Sequence, residues 1–143
     1  MYLLRKVTGT RWKGANVADT EHVHKAVRDV TPRPKEHLSV YEVTEADARD
    51  IALRWTAAHD PCVDESLDFL LIPDDLVPAG CLMASSDEST DHVLVEQHRE
   101  IMFGDDFTPT TLAEGVIRRG PRLFRIPRKE LLEYVRSSRQ QQG

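Results

Sequence analysis

The sequence lacks the features that mark several specialised classes of protein. Cys62 and Cys81 are the only cysteines among 143 residues, too few for a disulfide framework or for a metal site with four cysteines. The most hydrophobic run, Phe69–Ile72, is far shorter than the roughly 20 residues that a membrane-spanning helix needs. No charged and then apolar leader with a cleavage site opens the chain. These absences predict a soluble, cytoplasmic protein without a membrane partner.

Standard catalytic motifs are also missing. The seven glycines are isolated from one another, so no glycine-rich phosphate-binding loop is present. The chain has no Gly-x-Ser-x-Gly segment. The sequence reveals no base partner for any of five serines in predicted strands or loops: Ser39, Ser66, Ser85, Ser86 and Ser89. An enzyme with a standard motif is therefore not expected, although a site built from residues distant in sequence stays open.

What the sequence does contain is an uneven distribution of charge. Its composition is otherwise ordinary for a globular protein, with 40% hydrophobic residues, 30% charged residues and a net charge of −5. Residues 1–35 carry eight Lys or Arg and three Asp or Glu, and residues 118–143 carry eight and two. Between them, residues 36–117 carry nineteen acidic residues and three arginines, a net charge of −16. Such a segment repels itself unless opposite charges lie against it.

Two interpretations of this acidic segment are open. In the first, the basic ends of the chain pack against it, since charges further apart than about 8 Å are largely screened at physiological salt. In the second, it presents an acidic face that steers a basic protein partner towards the molecule. We expect on this basis a small, non-enzymatic binding or accessory module that acts through an acidic central surface within residues 36–117. The candidate contact residues are Glu42, Glu45, Asp64, Glu65, Asp74, Asp75, Asp87, Glu88 and Asp91.

An alternative hypothesis is a small metal-assisted hydrolase or transferase. Asp74 and Asp75 directly follow a predicted strand, and ligands bind at the carboxyl ends of strands in open α/β sheets. Mg²⁺ prefers carboxylate oxygens, and Arg11 or His59 would hold an anionic group of the substrate. Acidic residues are equally ordinary at the start of a helix, so neither a metal nor a cofactor is predicted.

A third hypothesis is nucleic-acid binding by the basic C-terminal segment. Cations on one face contact phosphates, and Phe124 and Tyr134 offer rings on which bases would stack. The isoelectric point of about 5.7 is lower than that of a typical nucleic-acid-binding domain, and no recognition motif accompanies the basic residues. The candidate residues are Arg118, Arg119, Arg122, Arg125, Arg128 and Lys129, with Arg136 and Arg139 further along the chain.

The hydrophobic pattern predicts a single domain, residues 1–143, of the α/β or α+β class. Helices are predicted from Thr20, from Thr44, from about Pro109 with a capping box at Thr111 and Glu114, and after Pro127. Strands are predicted at residues 1–7, 38–43, 67–72, 92–96 and 123–126. Strict alternation of strand and helix fails after residue 80, so we expect a mixed sheet of four to five short strands with about four helices. Residues 139–143 are predicted to fray.

Overall fold

Strands and helices alternate along most of the chain in the computed structural model, which describes residues 1–34, 36–85 and 89–142. The strands are β1 (Tyr2–Val7), β2 (Leu38–Val43), β3 (Leu67–Pro73), β4 (Leu82–Ala84), β5 (His98–Ile101) and β6 (Arg122–Ile126). The helices are α1 (Thr20–Asp29), α2 (Ala48–His59), α3 (His92–Gln97), α4 (Pro109–Arg119) and α5 (Arg128–Gln142). Short 3₁₀ turns lie at Gly9–Arg11, Asp74–Leu76 and Ala79–Cys81. Within the described ranges, no helix is long and apolar enough to cross a membrane.

The six strands form one sheet in the order β4-β5-β2-β1-β3-β6, and each neighbouring pair is antiparallel. The α+β class is confirmed, but the sheet has more strands than the four to five expected and is antiparallel rather than mixed. Two of the strands, β4 with three residues and β5 with four, are too short for an alternating pattern to be visible in the sequence. The strands β1 and β2 are adjacent and antiparallel, so β2 starts at the end of the sheet where β1 finishes. The connection between them contains α1 and the segments 8–19 and 30–37 on either side of it.

Helices cover both faces of the sheet. Side chains alternate along each strand, so Leu3 and Val7 of β1 belong to a hydrophobic cluster with α1 and α4. Leu4, which lies between them, belongs with Phe69 to a second cluster under α2 and α5. We call these two sides the α1/α4 face and the α2/α5 face. Because both faces of the sheet are covered, the sequence of β3 is hydrophobic at almost every position.

Helices α1 and α4 begin at their predicted starts, whereas α2 begins four residues late, and the capping residues differ from the prediction in all three. Helix α1 is capped by Asp19, whose carboxylate accepts a hydrogen bond from the backbone N–H of His22. Helix α2 begins at Ala48 rather than near Thr44. Pro109 occupies the first turn of α4 as predicted, but the capping box is one turn earlier, between Thr108 and Thr111. For α1 and α4 the difference lies in which short polar side chain accepts from an unpaired backbone N–H, whereas the Asp47 side chain before α2 forms no capping hydrogen bond.

The predicted strand at residues 92–96 was wrong, because this segment is the short helix α3. The Asp91 carboxylate accepts hydrogen bonds from the backbone N–H groups of Val93 (2.9 Å) and Leu94 (3.2 Å) and so caps the helix. The strand β5 begins directly after α3, at His98. At the other end of the chain, α5 continues to Gln142, through most of the segment that was expected to fray.

The C-terminal residue of α1, Asp29, joins three parts of the α1/α4 face. Its carboxylate accepts hydrogen bonds from Arg11 Nη1 (2.6 Å), from the indole N–H of Trp12 (2.8 Å) and from the backbone N–H of Thr8 (3.1 Å). Its backbone carbonyl accepts a further bond from Arg5 Nε (2.7 Å). Because the Trp12 side chain is fully buried, Asp29 supplies the partner that its N–H group needs.

Replacing Asp29 with alanine should lower the free energy of unfolding by about 2–4 kcal/mol, since a buried indole N–H and a guanidinium lose their acceptor. Urea unfolding followed by circular dichroism measures the change. The matched control is Asp105→Ala, at an exposed turn position, which should change stability by no more than about 0.5 kcal/mol. Equal effects of the two substitutions would show that the Asp29 network contributes nothing beyond an ordinary surface residue.

Candidate functional site

The structure disperses the acidic candidates instead of gathering them. Asp87 and Glu88 lie outside the described residues. Among the described candidates, the following carboxylates form ion pairs with arginines of the same chain: Glu42 with Arg99, Glu45 with Arg122, Asp75 with Arg119 and Asp91 with Arg54. Arg119 and Arg122 come from the C-terminal segment, so two of these pairs offset part of the net charge of residues 36–117, whereas Arg54 and Arg99 belong to that segment itself.

Three acidic candidates form no ion pair within the described part of the chain. Asp64 and Glu65 are exposed in the loop between α2 and β3, and Asp74 begins the turn that follows β3. The seven residues of β3 separate the loop from the turn by about 20 Å. The free carboxylates therefore lie at opposite ends of the sheet.

The residues proposed for a metal-assisted site, Asp74, Asp75 and Arg11, do not lie together in one site either. Asp75 is held by Arg119, with 2.9 Å between Nη1 and Oδ1, and this hydrogen bond lowers the pKa of the Asp75 carboxyl group. Arg11 follows β1 near the end of the sheet where β3 begins, whereas Asp74 lies where β3 ends. No group of three or more metal-ligating side chains is found among the residues that the structure describes.

The basic candidates are spread over the end of α4, β6 and the start of α5, and four of them have acidic partners. Arg122 and Arg125 of β6 point to opposite faces of the sheet, because three positions separate them in a strand. Within the described ranges, Arg128 and Lys129 form no ion pair. The pairs are Arg118 with Glu114, Arg119 with Asp75, Arg122 with Glu45, and Arg125 with Asp68.

A cleft opens on the α2/α5 face where β1 and β2 separate. The two strands pair from Tyr2 opposite Val43 as far as Leu4 opposite Tyr41, and no further. Beyond that point the Arg5 guanidinium lies between them, with Nη1 donating to the backbone carbonyl of Ser39 at 2.8 Å. The cleft has a volume of about 230 Å³ and is lined by Leu4, Arg5, Lys6, Ser39, Tyr41, Trp55 and Phe69.

Ser39, which lines this cleft, forms a short hydrogen bond with His98, which is not among the described residues of the lining. The distance between Ser39 Oγ and His98 Nε2 is 2.5 Å, and the other ring nitrogen, Nδ1, lies 3.1 Å from the backbone carbonyl of Ser85. A carbonyl oxygen can only accept, so Nδ1 carries the proton of the neutral ring and Nε2 is left to accept from the serine hydroxyl. The His98 side chain is buried, with 5% of its surface exposed. The pair therefore has the arrangement of a nucleophile, a base and a group that orients the base.

Strand register brings the two residues together. Tyr41 of β2 is the register partner of His98 in β5, and their ring centroids are 5.3 Å apart. Ser39 is two residues before Tyr41, so its side chain points to the same face. The sequence could not reveal this pair, because 59 positions separate Ser39 from His98 and neither belongs to a recognisable motif.

The end of α2 supplies the wall of the cleft. Trp55 and His59 are four residues apart and so lie on one side of the helix, with ring centroids 5.6 Å apart. Trp55 also meets Phe69 edge to face at 6.1 Å, and His59 Nε2 lies 3.4 Å from the Tyr41 hydroxyl. Trp55 thus lines the cleft with its ring, whereas His59 contacts lining residues and is not itself among the described residues of the lining.

Comparison of the chain with protein-family models, with curated proteins and with solved structures gave no match. The contacts in the cleft are accordingly the basis for a functional assignment.

At the opposite face, the Asp68 carboxylate links β3 to β6 and to the turn after β1. It accepts hydrogen bonds from Arg125 at 2.8 and 3.1 Å and from the backbone N–H of Gly9 at 3.3 Å. The hydrogen bonds from Arg125 lower the pKa of Asp68, and burial opposes that effect. A side chain on Gly9 would place its Cβ 2.5 Å from the Asp68 carboxylate, so the carboxylate would have to move to admit it.

Acidification should weaken the fold through Asp68. Because its pKa is lower in the folded chain than in the unfolded one, the stabilisation is present above the unfolded value and is lost as the pH falls through the folded value. Its size is at most about 1 kcal/mol, since an exposed arginine partner is well solvated. The stabilities of the wild type and of Asp68→Asn, measured by urea unfolding, should therefore differ at pH 7 and approach each other as the pH falls below the ordinary Asp pKa of 3.8. A difference that persists at low pH would assign the effect to packing rather than charge.

Proposed function

We propose that this protein hydrolyses activated esters or thioesters in the cleft between β1 and β2, with Ser39 as the nucleophile. The observation that supports the proposal is the 2.5 Å contact between Ser39 Oγ and His98 Nε2, combined with the position of Ser39 on the cleft lining. Among the described residues, most other hydrogen bonds between two side chains belong to ion pairs, whereas this one joins a hydroxyl to a buried imidazole. A hydroxyl becomes an effective nucleophile when such a base takes its proton.

The reaction would proceed by acyl transfer. His98 Nε2 takes the hydroxyl proton as Ser39 Oγ forms a bond to the substrate carbonyl carbon. The bond from that carbon to the leaving oxygen or sulfur then breaks, and the leaving group receives the proton from His98. Water next gives a proton to His98 as its oxygen forms a bond to the acyl carbon. The bond between that carbon and Ser39 Oγ then breaks, and His98 returns the proton to Oγ, which restores the hydroxyl and releases a carboxylic acid. No electron acceptor or further reactant is needed.

The orienting group explains why activated substrates are proposed. The Ser85 carbonyl fixes the tautomer of His98, but it carries a partial charge where the familiar triad has a carboxylate. A carbonyl stabilises the imidazolium ion less than a carboxylate does. The site is therefore suited to thioesters and aryl esters, whose leaving groups depart without strong assistance.

The test is hydrolysis of 4-nitrophenyl acetate, followed by the release of 4-nitrophenolate. Ser39→Ala and His98→Gln should each lower kcat/KM by about 100-fold or more, the usual contribution of a general base to catalysis. Ser137→Ala, at an exposed position of α5, is the matched serine control and should leave the rate unchanged. A fluorophosphonate probe should label Ser39, as mass spectrometry of the peptides would show. Labelling elsewhere, or full activity of Ser39→Ala, would contradict the proposal.

A second candidate is the non-enzymatic binding of a basic protein partner by the acidic segment, residues 36–117. It is favoured by one observation: Asp64 and Glu65 are exposed, adjacent and without an ion pair in the portion of the chain that the structure describes. The charge of Asp64 is therefore available to a partner, whereas Glu65 also attracts Arg125. Both proposals place the protein in the cytoplasm, where the free thiols of Cys62 and Cys81 stay reduced.

The second candidate predicts salt-sensitive binding that depends on this loop. The double variant Asp64→Asn, Glu65→Gln should bind an oligolysine peptide about tenfold more weakly than the wild type at low salt, as expected for two exposed charges. The double variant Asp105→Asn, Asp106→Asn removes the same charge from another exposed turn. Equal weakening in both variants, measured by fluorescence anisotropy at 50 and 300 mM NaCl, would attribute binding to net charge and not to the loop.

A further inference from the structure

A lysine faces Ser39 across the cleft. Lys6 follows Leu4 by two positions on β1, so both side chains point to the α2/α5 face. Extending the register of β1 and β2 by two residues beyond the pair Leu4–Tyr41 brings Lys6 opposite Ser39, where the strands have separated. Both residues line the cleft. A cation thus lies beside the proposed nucleophile.

The charge of Lys6 is available to a ligand, whereas that of the other cation at the cleft is not. Arg5 already donates to the backbone carbonyls of Asp29 and Ser39. Lys6 is exposed, and across the described residues it forms no ion pair. Two carboxylates lie near it: Asp68 is bound to Arg125, and Glu65 lines the neighbouring groove with Lys6. Glu100, the register partner of Ser39 in β5, lies on the side away from β1.

The rest of the lining is apolar and aromatic. It therefore favours an apolar group in the uncharged part of a ligand and limits the size of that group. Leu4, Trp55 and Phe69 surround a volume of about 230 Å³, below the range of about 300–1,000 Å³ that drug-sized ligands occupy. A small acyl chain fits such a space. An anionic group at its far end would meet Lys6 while the carbonyl carbon lies at Ser39.

Building on the proposed function, we infer that the substrate is a small acyl ester or thioester whose acyl part ends in a carboxylate, and that Lys6 binds that carboxylate. Lys6 is then a specificity-determining residue. Its ammonium group would lower KM for acidic substrates and leave neutral esters unaffected.

The first test measures binding without catalysis. In the Ser39→Ala protein, glutarate should bind at least tenfold more tightly than its neutral analogue glutaramide at low salt, as followed by isothermal titration calorimetry. Adding Lys6→Met should abolish that preference, and adding Lys6→Arg, which keeps the charge, should retain it. Lys25→Met, an exposed lysine of α1 on the opposite face, is the matched control and should change nothing. Equal binding of the two ligands would overturn the inference.

The second test separates this inference from the proposed function. Wild-type protein should hydrolyse 4-nitrophenyl hydrogen glutarate with a KM at least tenfold below that of 4-nitrophenyl butyrate, and Lys6→Met should remove the difference with little change in kcat. Equal hydrolysis of both esters, unaffected by Lys6→Met, would overturn the inference and leave the hydrolase standing. Lys6-dependent binding of glutarate without hydrolysis of either ester would overturn the hydrolase and support a carboxylate-binding site.

Discussion

Taking a guanidinium group out of water is costly unless its N–H groups find acceptors. Arg5 finds them in the backbone carbonyls of Asp29, at the end of α1, and of Ser39, in β2. Burial nevertheless lowers the pKa of Arg5, with the Asp29 charge acting in the opposite direction. This side chain occupies the Ser39 carbonyl, next to the point where the pairing of β1 with β2 ends, and so it holds the Ser39 backbone in place. The cleft exists because the sheet is interrupted at this residue.

The surface charges of the chain are balanced by individual ion pairs at separate places on the molecule. Arginines from the basic C-terminal segment reach carboxylates of the acidic middle, as Arg119 does with Asp75 and Arg125 with Asp68. Arg49 of the middle segment pairs in turn with Glu130 of α5. Exposed pairs of this kind contribute about 0–1 kcal/mol each, so they add little to stability. Their effect is to relieve the repulsion within residues 36–117, which agrees with the interpretation that the basic end packs against the acidic segment.

The sequence pattern predicted the strands and helices that carry a long apolar pattern. It missed the elements that depend on a few polar contacts. The central strands β2 and β3 and the helix α1 were predicted near their observed bounds, because each carries a long apolar pattern. The segment after Asp91 contains the alternating letters of a strand, yet the Asp91 carboxylate caps it as a helix. The contact between Ser39 and His98 could not be predicted, since it depends on the pairing of β2 with the four-residue β5. Local patterns carry no information on such a pairing.

The antiparallel sheet also explains where functional groups converge. The expectation that Asp74 and Asp75 lie at a ligand site used a rule for parallel sheets, in which the carboxyl ends of neighbouring strands meet at one edge. Here β1 begins where β3 ends, with Tyr2 opposite Pro73. The start of one strand and the end of its neighbour therefore lie side by side at that end of the sheet. Side chains that point to the same face of neighbouring strands can still meet. They do so beside the gap between β1 and β2, where Lys6, Ser39 and Tyr41 share one face. The cleft thus lies where the pairing of β1 with β2 stops, and not at the ends of the strands as in a parallel sheet.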